Sequence, residues 1–194
     1  MYKITNSGWL EVITGAMMSG KTEELLRRVR RVELANQKFI AFKPSLDSRY
    51  ESNKICSHND SSLPCKVIKK DKPENIANHV YEEIDVIAID EAQFFDIKLV
   101  NVIERFCVAN KRVIVAGLDT DFRGEPFLVM AELLAKAEYV DKIKGICSIC
   151  GELSTKTQRY VDGDIAHYDD DIIKVGGTEM YEGVCRSCHR VRRD

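Results

Sequence analysis

"WLEVITGAMMSGKTEELLRRV", residues 9 to 29, decides the fold. Trp9 to Ile13 is a short, mostly apolar segment that reads as a strand. A loop bounded by Gly15 and Gly20 follows, after which Leu25, Leu26, Val29 and Val32 recur at helical spacing. Gly15, Ala16, Met17, Met18, Ser19, Gly20, Lys21 and Thr22 satisfy G-x-x-x-x-G-K-[ST] in the strand–loop–helix context the motif requires. The glycines let successive backbone N–H groups curl around phosphates, and the helix N-terminus adds its dipole. Lys21 then neutralises β- and γ-phosphate charge, and Thr22 offers its hydroxyl to Mg²⁺. A glycine-rich turn that merely caps a helix is the bland alternative, disfavoured by the matching flanks.

Outward from this loop, Phe39 to Phe42, ended by Pro44, reads as a second strand, Asp85 to Ile89 as a third and Arg112 to Ala116 as a fourth. Helices fit near Pro73 to His79, Ile97 to Ala109 and Phe127 to Ala137. Strand–helix alternation predicts an α/β fold, a mostly parallel P-loop (RecA-like) sheet covered on both faces. Residues 45 to 66, rich in Ser, Asn and Asp, lack periodicity and read as a long surface loop. The pattern changes near Gly145, where cysteine pairs, Gly163, Gly176, Gly177 and Asp169 to Asp171 suggest a small metal-centred unit. The expected division is a nucleotide-binding domain over residues 1–143 and a zinc-binding domain over 144–194. Arg27, Arg28, Arg30 and Arg31 read mainly as a solvated helix face.

The chain has 194 residues, 44% of them apolar, enough for a buried core. Lys and Arg total 29 against 31 Asp and Glu, so no overall positive field draws the protein to nucleic acid or membrane. No apolar run is long enough for a membrane span and none at the start resembles a signal segment, so the cytoplasm is the expected location. Seven cysteines, four of them in two Cys-x-x-Cys pairs, read as metal binding before disulfides. Cys56, Cys65 and Cys107 read as free, buried or incidental thiols.

"DEAQFF", residues 90 to 95, follows the apolar run Val86 to Ile89. A buried strand ending in Asp90 delivers a carboxylate beside the phosphate loop, where it organises Mg²⁺ directly or through water. Glu91 emerges where a nucleophile must lie and can take a proton from water or from a substrate hydroxyl. A helicase-like, nucleic-acid-stimulated ATPase would use the same two carboxylates. Such enzymes need a second domain of this kind, for which little chain remains after residue 137 of 194. A nucleotide switch, a simple ATPase and a zinc-centred binding module stay open at this point.

Cys147-x-x-Cys150 and Cys185-x-x-Cys188 can each supply two corners of a tetrahedron around one Zn²⁺, tying off residues 151 to 184 as a closed loop. Four thiolates leave no open coordination position, so the metal is expected to be structural. His189 is the obvious substitute ligand if one cysteine is unused. A redox dithiol lacks thioredoxin-like context, and a nucleic-acid ribbon would want more basic residues between the pairs than Arg159 and Lys174. Arg186, Arg190, Arg192 and Arg193 read as a solvated basic tail.

"GAMMSGKT", "DEAQFF", "GLDTDFRGEPF", "TQRYVDGDIAHYDDDIIKVGGTEMY" and "CRSC" together resemble the type II (cytosolic-type) thymidine kinases over nearly the whole chain. The resemblance implies transfer of the γ-phosphoryl of ATP to the 5′-hydroxyl of thymidine, giving dTMP for nucleotide salvage and DNA synthesis. It also implies a RecA-like domain with a zinc-held lasso domain, a homotetramer, and dTTP as a feedback inhibitor. Carried over by position, it makes Glu91 the general base. Residues Gly15 to Thr22, Asp90, Glu91, Ala92 and Gln93, with Asp47 and Arg49, become the ATP and phosphate set, Thr22 and Asp90 serving Mg²⁺. Met17, Leu118, Phe122 and Phe127 line the thymine pocket, with Phe122 stacked on the base. Backbone groups of Ile172, Ile173, Lys174, Val175 and Gly176 read its polar edge, and Tyr181 packs on the deoxyribose. Ala16 stands where the family often has proline or serine, and Met18 where it usually has phenylalanine.

Overall fold

The computed structural model describes residues 7–45, 53–56, 62–172 and 179–193. Strand β1 (Trp9–Thr14) enters the phosphate loop, and helix α1 (Lys21–Leu34) leaves it. Then come β2 (Phe39–Ser45), β3 (Lys54–Cys56), β4 (Ser62–Pro64), β5 (Lys66–Lys69), β6 (Val86–Ile89), α2 (Lys98–Val108), β7 (Arg112–Gly117), α3 (Leu128–Lys136) and β8 (Tyr139–Lys142). Short 3-10 segments lie at Pro73–His79 and Ala92–Phe94. The main sheet has six strands in the order β5-β2-β6-β7-β1-β8, and every pairing is parallel.

Side chains alternate across a strand, so each central strand feeds two cores. Ile87 and Ile89 of β6 and Val113 and Val115 of β7 face Leu99, Ile103, Met130 and Leu133 of α2 and α3. Val86, Ala88, Ile114 and Ala116 point the other way and meet Leu25, Leu26, Val29 and Val32 of α1. That is why β6 reads as an unbroken apolar run: it is buried on both faces.

In the α/β part, three sequence expectations change. Pro44 does not end the second strand; it lies inside β2, opposite Ile68 of β5 and beyond the β6 pairing, which stops at Phe42. The region read as a loop over 45 to 66 holds the antiparallel pair β3–β4, whose Ile55 and Leu63 are buried with Cys65 in the α1-side core. Arg28 is not part of a solvated face. Its guanidinium bonds Glu11 at 2.7 Å, Glu24 at 2.8 Å and Asp141, and Glu11 also accepts from Arg112 at 2.7 Å and from the Trp9 indole at 2.7 Å. This ion network joins β1, α1, β7 and β8.

The C-terminal part is built from short antiparallel strands. Strand β9 (Gly145–Ile146) pairs β10 (Leu153–Ser154), and β11 (Lys156–Val161) lies between β12 (Asp164–Ile165) and β13 (Glu179–Val184). Asp162 and Gly163, both at positive φ, turn β11 into β12 through a two-residue hairpin. The basic tail also packs back: Arg192 N donates to Ala166 O, Tyr168 N to Arg192 O, and the Arg193 guanidinium lies 4.3 Å from the Tyr168 ring centroid. No helix among the described residues is long and apolar enough to cross a membrane.

Candidate active site

Because the sheet is parallel, the carboxyl ends of β1, β6 and β7 open on one edge, the edge where α/β folds bind ligands. The phosphate loop leaves β1 there, Asp90 and Glu91 leave β6, and Leu118 leaves β7. Thr14 Oγ1 donates to Gly117 O at 2.9 Å and pins the first of these ends to the third. Gly15, at φ 146°, must be glycine, since a Cβ would sit 2.2 Å from Ile143 O.

The loop is poised for an anion. Lys21 is buried and donates to Ala16 O at 2.7 Å. Burial lowers its pKa, while Glu91, Asp90 and Asp119 act the other way. The buried Ser19 hydroxyl has no partner among the described residues, and a phosphate oxygen would satisfy this donor. Thr22 Oγ1 lies 3.2 Å from Asp90 Oδ2, the pair of hard oxygen donors a divalent cation needs beside a phosphate. Burial, reinforced by the Glu91 charge, pushes the Asp90 carboxyl up to about 7; hydrogen bonds from Glu91 N and Thr22 and the charge of Lys21 oppose this.

Glu91 adopts the left-handed conformation, φ 52° and ψ 37°, uncommon for a residue with a side chain. The turn at Ala92–Phe94 follows immediately and sends Gln93 back into the interior. Gln93 Nε2 donates to Glu91 Oε2 at 2.5 Å, and Gln93 Oε1 accepts from Leu118 N at 3.0 Å. Ala92 is buried in the core.

Leu118 and Phe122 are buried beside this edge, and Phe127 meets Phe94 edge-to-face at 6.3 Å. Arg159, noted in the sequence only as a scarce basic residue, is a fully buried part of the site wall. Its guanidinium sits 4.9 Å from the Phe122 ring centroid and 5.9 Å from that of Tyr181, and it donates to Asp171 O. Ile172 lines an open surface depression with Arg123 and Asp169 to Asp171. Asp47, Arg49, Ile173, Lys174, Val175 and Gly176 lie outside the described residues.

The four cysteine sulfurs of residues 147, 150, 185 and 188 lie within 4.8 Å of one another, and Cys150 and Cys185 are 3.7 Å apart. A zinc tetrahedron with bonds of about 2.3 Å has edges of about 3.8 Å, so the donor set fits that ion. Burial raises the Cys147 thiol, but hydrogen bonds from the backbone of Cys185, Cys150 and Ile149 outweigh it and bring it down to about 6. Cys188 is pushed up to about 12, first by the neighbouring Cys150 and Cys185. Four thiols packed this closely cannot all ionise without a cation to balance their charge. His189 does not join them; its Nε2 donates to Phe122 O at 2.8 Å.

The cysteine-bearing unit touches the phosphate loop directly. Met17 N donates to Thr157 Oγ1 at 3.1 Å, and a Cβ at Gly183 would lie 2.8 Å from Met17 O. A parallel sheet with a P-loop after β1, an acidic pair at the end of β6, one strand removed across β7, and a cysteine quartet that could hold a metal ion together define a P-loop phosphotransferase with a cysteine-clustered C-terminal unit. A family profile for thymidine kinase matches residues 8–189, and the chain belongs to the thymidine kinase family. It is therefore a kinase whose substrates are thymidine and a nucleotide phosphate donor.

Proposed function

We propose that this protein transfers the γ-phosphoryl group of ATP to the 5′-hydroxyl of thymidine, with Glu91 as general base. The observation that carries this reading is the meeting of Lys21, the Thr22–Asp90 pair and Glu91 at one sheet edge. Glu91 takes the hydroxyl proton as the thymidine oxygen bonds to the γ-phosphorus, and the bond from that phosphorus to the β,γ-bridging oxygen breaks, leaving ADP. Lys21, the loop amides and Ser19 hold the phosphates in line with the acceptor. Thr22 and Asp90 would hold Mg²⁺, which when bound neutralises developing phosphate charge.

Met17, Leu118, Phe122 and Phe127 form the thymine pocket in this reading, with Tyr181 against the sugar and residues 172–176 reading the base edge. Asp47 and Arg49 belong to the phosphate-binding set in this reading. Cys147, Cys150, Cys185 and Cys188 hold structural zinc, which binds residues 144–194 into one unit on the nucleotide-binding part, residues 1–143. The protein acts in thymidine salvage in the cytoplasm as a homotetramer, with dTTP as feedback inhibitor and no nucleic-acid or membrane partner.

Glu91→Gln tests the base. The variant is expected to bind ATP and thymidine and to lose kcat by about 100-fold or more, the scale of general base catalysis. Unchanged turnover by a folded variant would refute the assignment.

A further inference from the structure

The proton-accepting role of Glu91 leaves open what holds its carboxylate in place, and the buried amide beside it supplies an answer. Gln93 is 4% exposed, and its two amide atoms have separate partners. Leu118 N is a donor without alternative chemistry, so the amide atom 3.0 Å from it must be the carbonyl oxygen. That fixes the orientation: the NH₂ group faces Glu91 Oε2 at 2.5 Å. An NH₂ group only donates, so the carboxylate oxygen it meets accepts, the arrangement that suits an ionised carboxylate.

The surroundings leave this amide one position. A Cβ at Gly117 would lie 2.7 Å from Gln93 Oε1 and 2.8 Å from Met130 Sδ, so the amide is packed against the bare backbone of β7. The turn that brings Gln93 inward begins at Glu91, in the left-handed conformation. Backbone conformation therefore aims the Glu91 side chain from one end, and the Gln93 amide holds it at the other.

We infer that Gln93 is a positioning residue for Glu91 rather than a phosphate ligand, and that it ties the base to the β7 end carrying Leu118. The inference rests on Glu91 being the base. Buried at 4% exposure, with its carbonyl oxygen on Leu118 N and its NH₂ group turned to Glu91, Gln93 lacks the exposure to hold a phosphate. Its contribution is geometric: Oε2 is engaged, and Oε1 is left for the acceptor proton.

The test is a double-mutant cycle on the full-length zinc-loaded protein, with steady-state kcat and KM for ATP and thymidine and a urea unfolding curve for each variant. Gln93→Glu keeps an acceptor for Leu118 N but sets a second carboxyl against Glu91, which must then share a proton with it; Gln93→Met removes both hydrogen bonds in similar volume. Each is expected to lower kcat about 10- to 100-fold, the scale of a 1 Å misplacement, while KM for ATP stays within about twofold. In the Glu91→Gln background, Gln93→Glu should cause no further loss, because it acts through the missing carboxylate. Normal kcat in both Gln93 variants overturns the inference. So does a raised KM for ATP at unchanged kcat, the signature of a phosphate ligand, or an equal loss in both backgrounds, the signature of general structural damage. Normal turnover by Glu91→Gln itself would remove the base reading and this inference together. An inactive Glu91→Gln beside normal Gln93 variants would remove this inference alone.

Discussion

Gly183→Ala perturbs the contact between the metal unit and the phosphate loop at one point. The new Cβ would lie 2.8 Å from Met17 O and 3.0 Å from Ser154 Oγ, where ordinary contact begins at 3.4 Å. Met17 O must therefore retreat by about 0.6 Å, or β13 must shift by as much, on the scale of methylene-sized overpacking. Retreat is resisted, because Met17 N already donates to Thr157 Oγ1 at 3.1 Å and the same displacement would carry it past hydrogen-bonding range. Overpacking costs about 1–3 kcal/mol and the weakened bond about 1 kcal/mol more. If about 1.4 kcal/mol of this falls on nucleotide binding, affinity for ATP drops about tenfold. Titration calorimetry with a non-hydrolysable ATP analogue reads the affinity, and urea unfolding reads the stability. Thr157→Val, which removes the bond without adding volume, should move affinity in the same direction by less. Unchanged affinity and stability in Gly183→Ala would show that the loop does not lean on the metal unit.

Chelation should destabilise the C-terminal strands around the cysteine quartet, because structural zinc supplies about 10–16 kcal/mol in small zinc-finger peptides. Hydrogen exchange should then rise across β9, β10 and β13, and one equivalent of zinc should reverse it; protection unchanged by chelation would count against a structural metal. At low pH the Glu24 carboxyl matters: hydrogen bonds from Arg27 and then Arg28 outweigh burial and hold it down at about 2. Since its folded value lies below its unfolded one, its stabilisation is complete above about pH 4.5 and is lost as pH falls toward 2. The urea midpoint should decline over that window, and less steeply in Glu24→Gln; parallel declines would dismiss Glu24 as a contributor. Thiol labelling of the zinc-loaded protein at neutral pH should modify exposed Cys56 first and Cys107 slowly, since burial, with Glu138 and Glu104 nearby, pushes the latter up to about 12. Equal rates would contradict that ordering.

How much of this could be read from the sequence depends on the range of the interactions involved. The phosphate loop was legible because its chemistry sits in consecutive residues, Gly15 to Thr22, with the flanking strand and helix announced by periodicity. The cysteine quartet was legible because Cys-x-x-Cys spacing is itself a statement about geometry. Strand β8 was not, since Tyr139 to Lys142 are all exposed and carry no buried alternation. Nor were β3 and β4, three residues each, whose burial becomes apparent only when Ile55 and Leu63 meet α1.

Arg28 looked like any surface arginine because its partners Glu11 and Asp141 are distant in sequence. Arg159 was missed for the same reason: its burial depends on Phe122 and Tyr181, brought together by the fold. The resemblance placed Gln93 among nucleotide contacts, while the folded chain turns it inward between Glu91 and Leu118. Local motifs name the candidate groups, and only the tertiary structure names what holds them.

The most direct measurement gives the purified, zinc-loaded protein Mg²⁺ and γ-labelled ATP and offers thymidine, deoxycytidine, deoxyadenosine, deoxyguanosine or single-stranded DNA in separate reactions. Label is expected on the 5′-phosphate of thymidine, with little on the other nucleosides and no DNA-stimulated release of free phosphate. Label appearing only as free phosphate, rising with DNA, would contradict it.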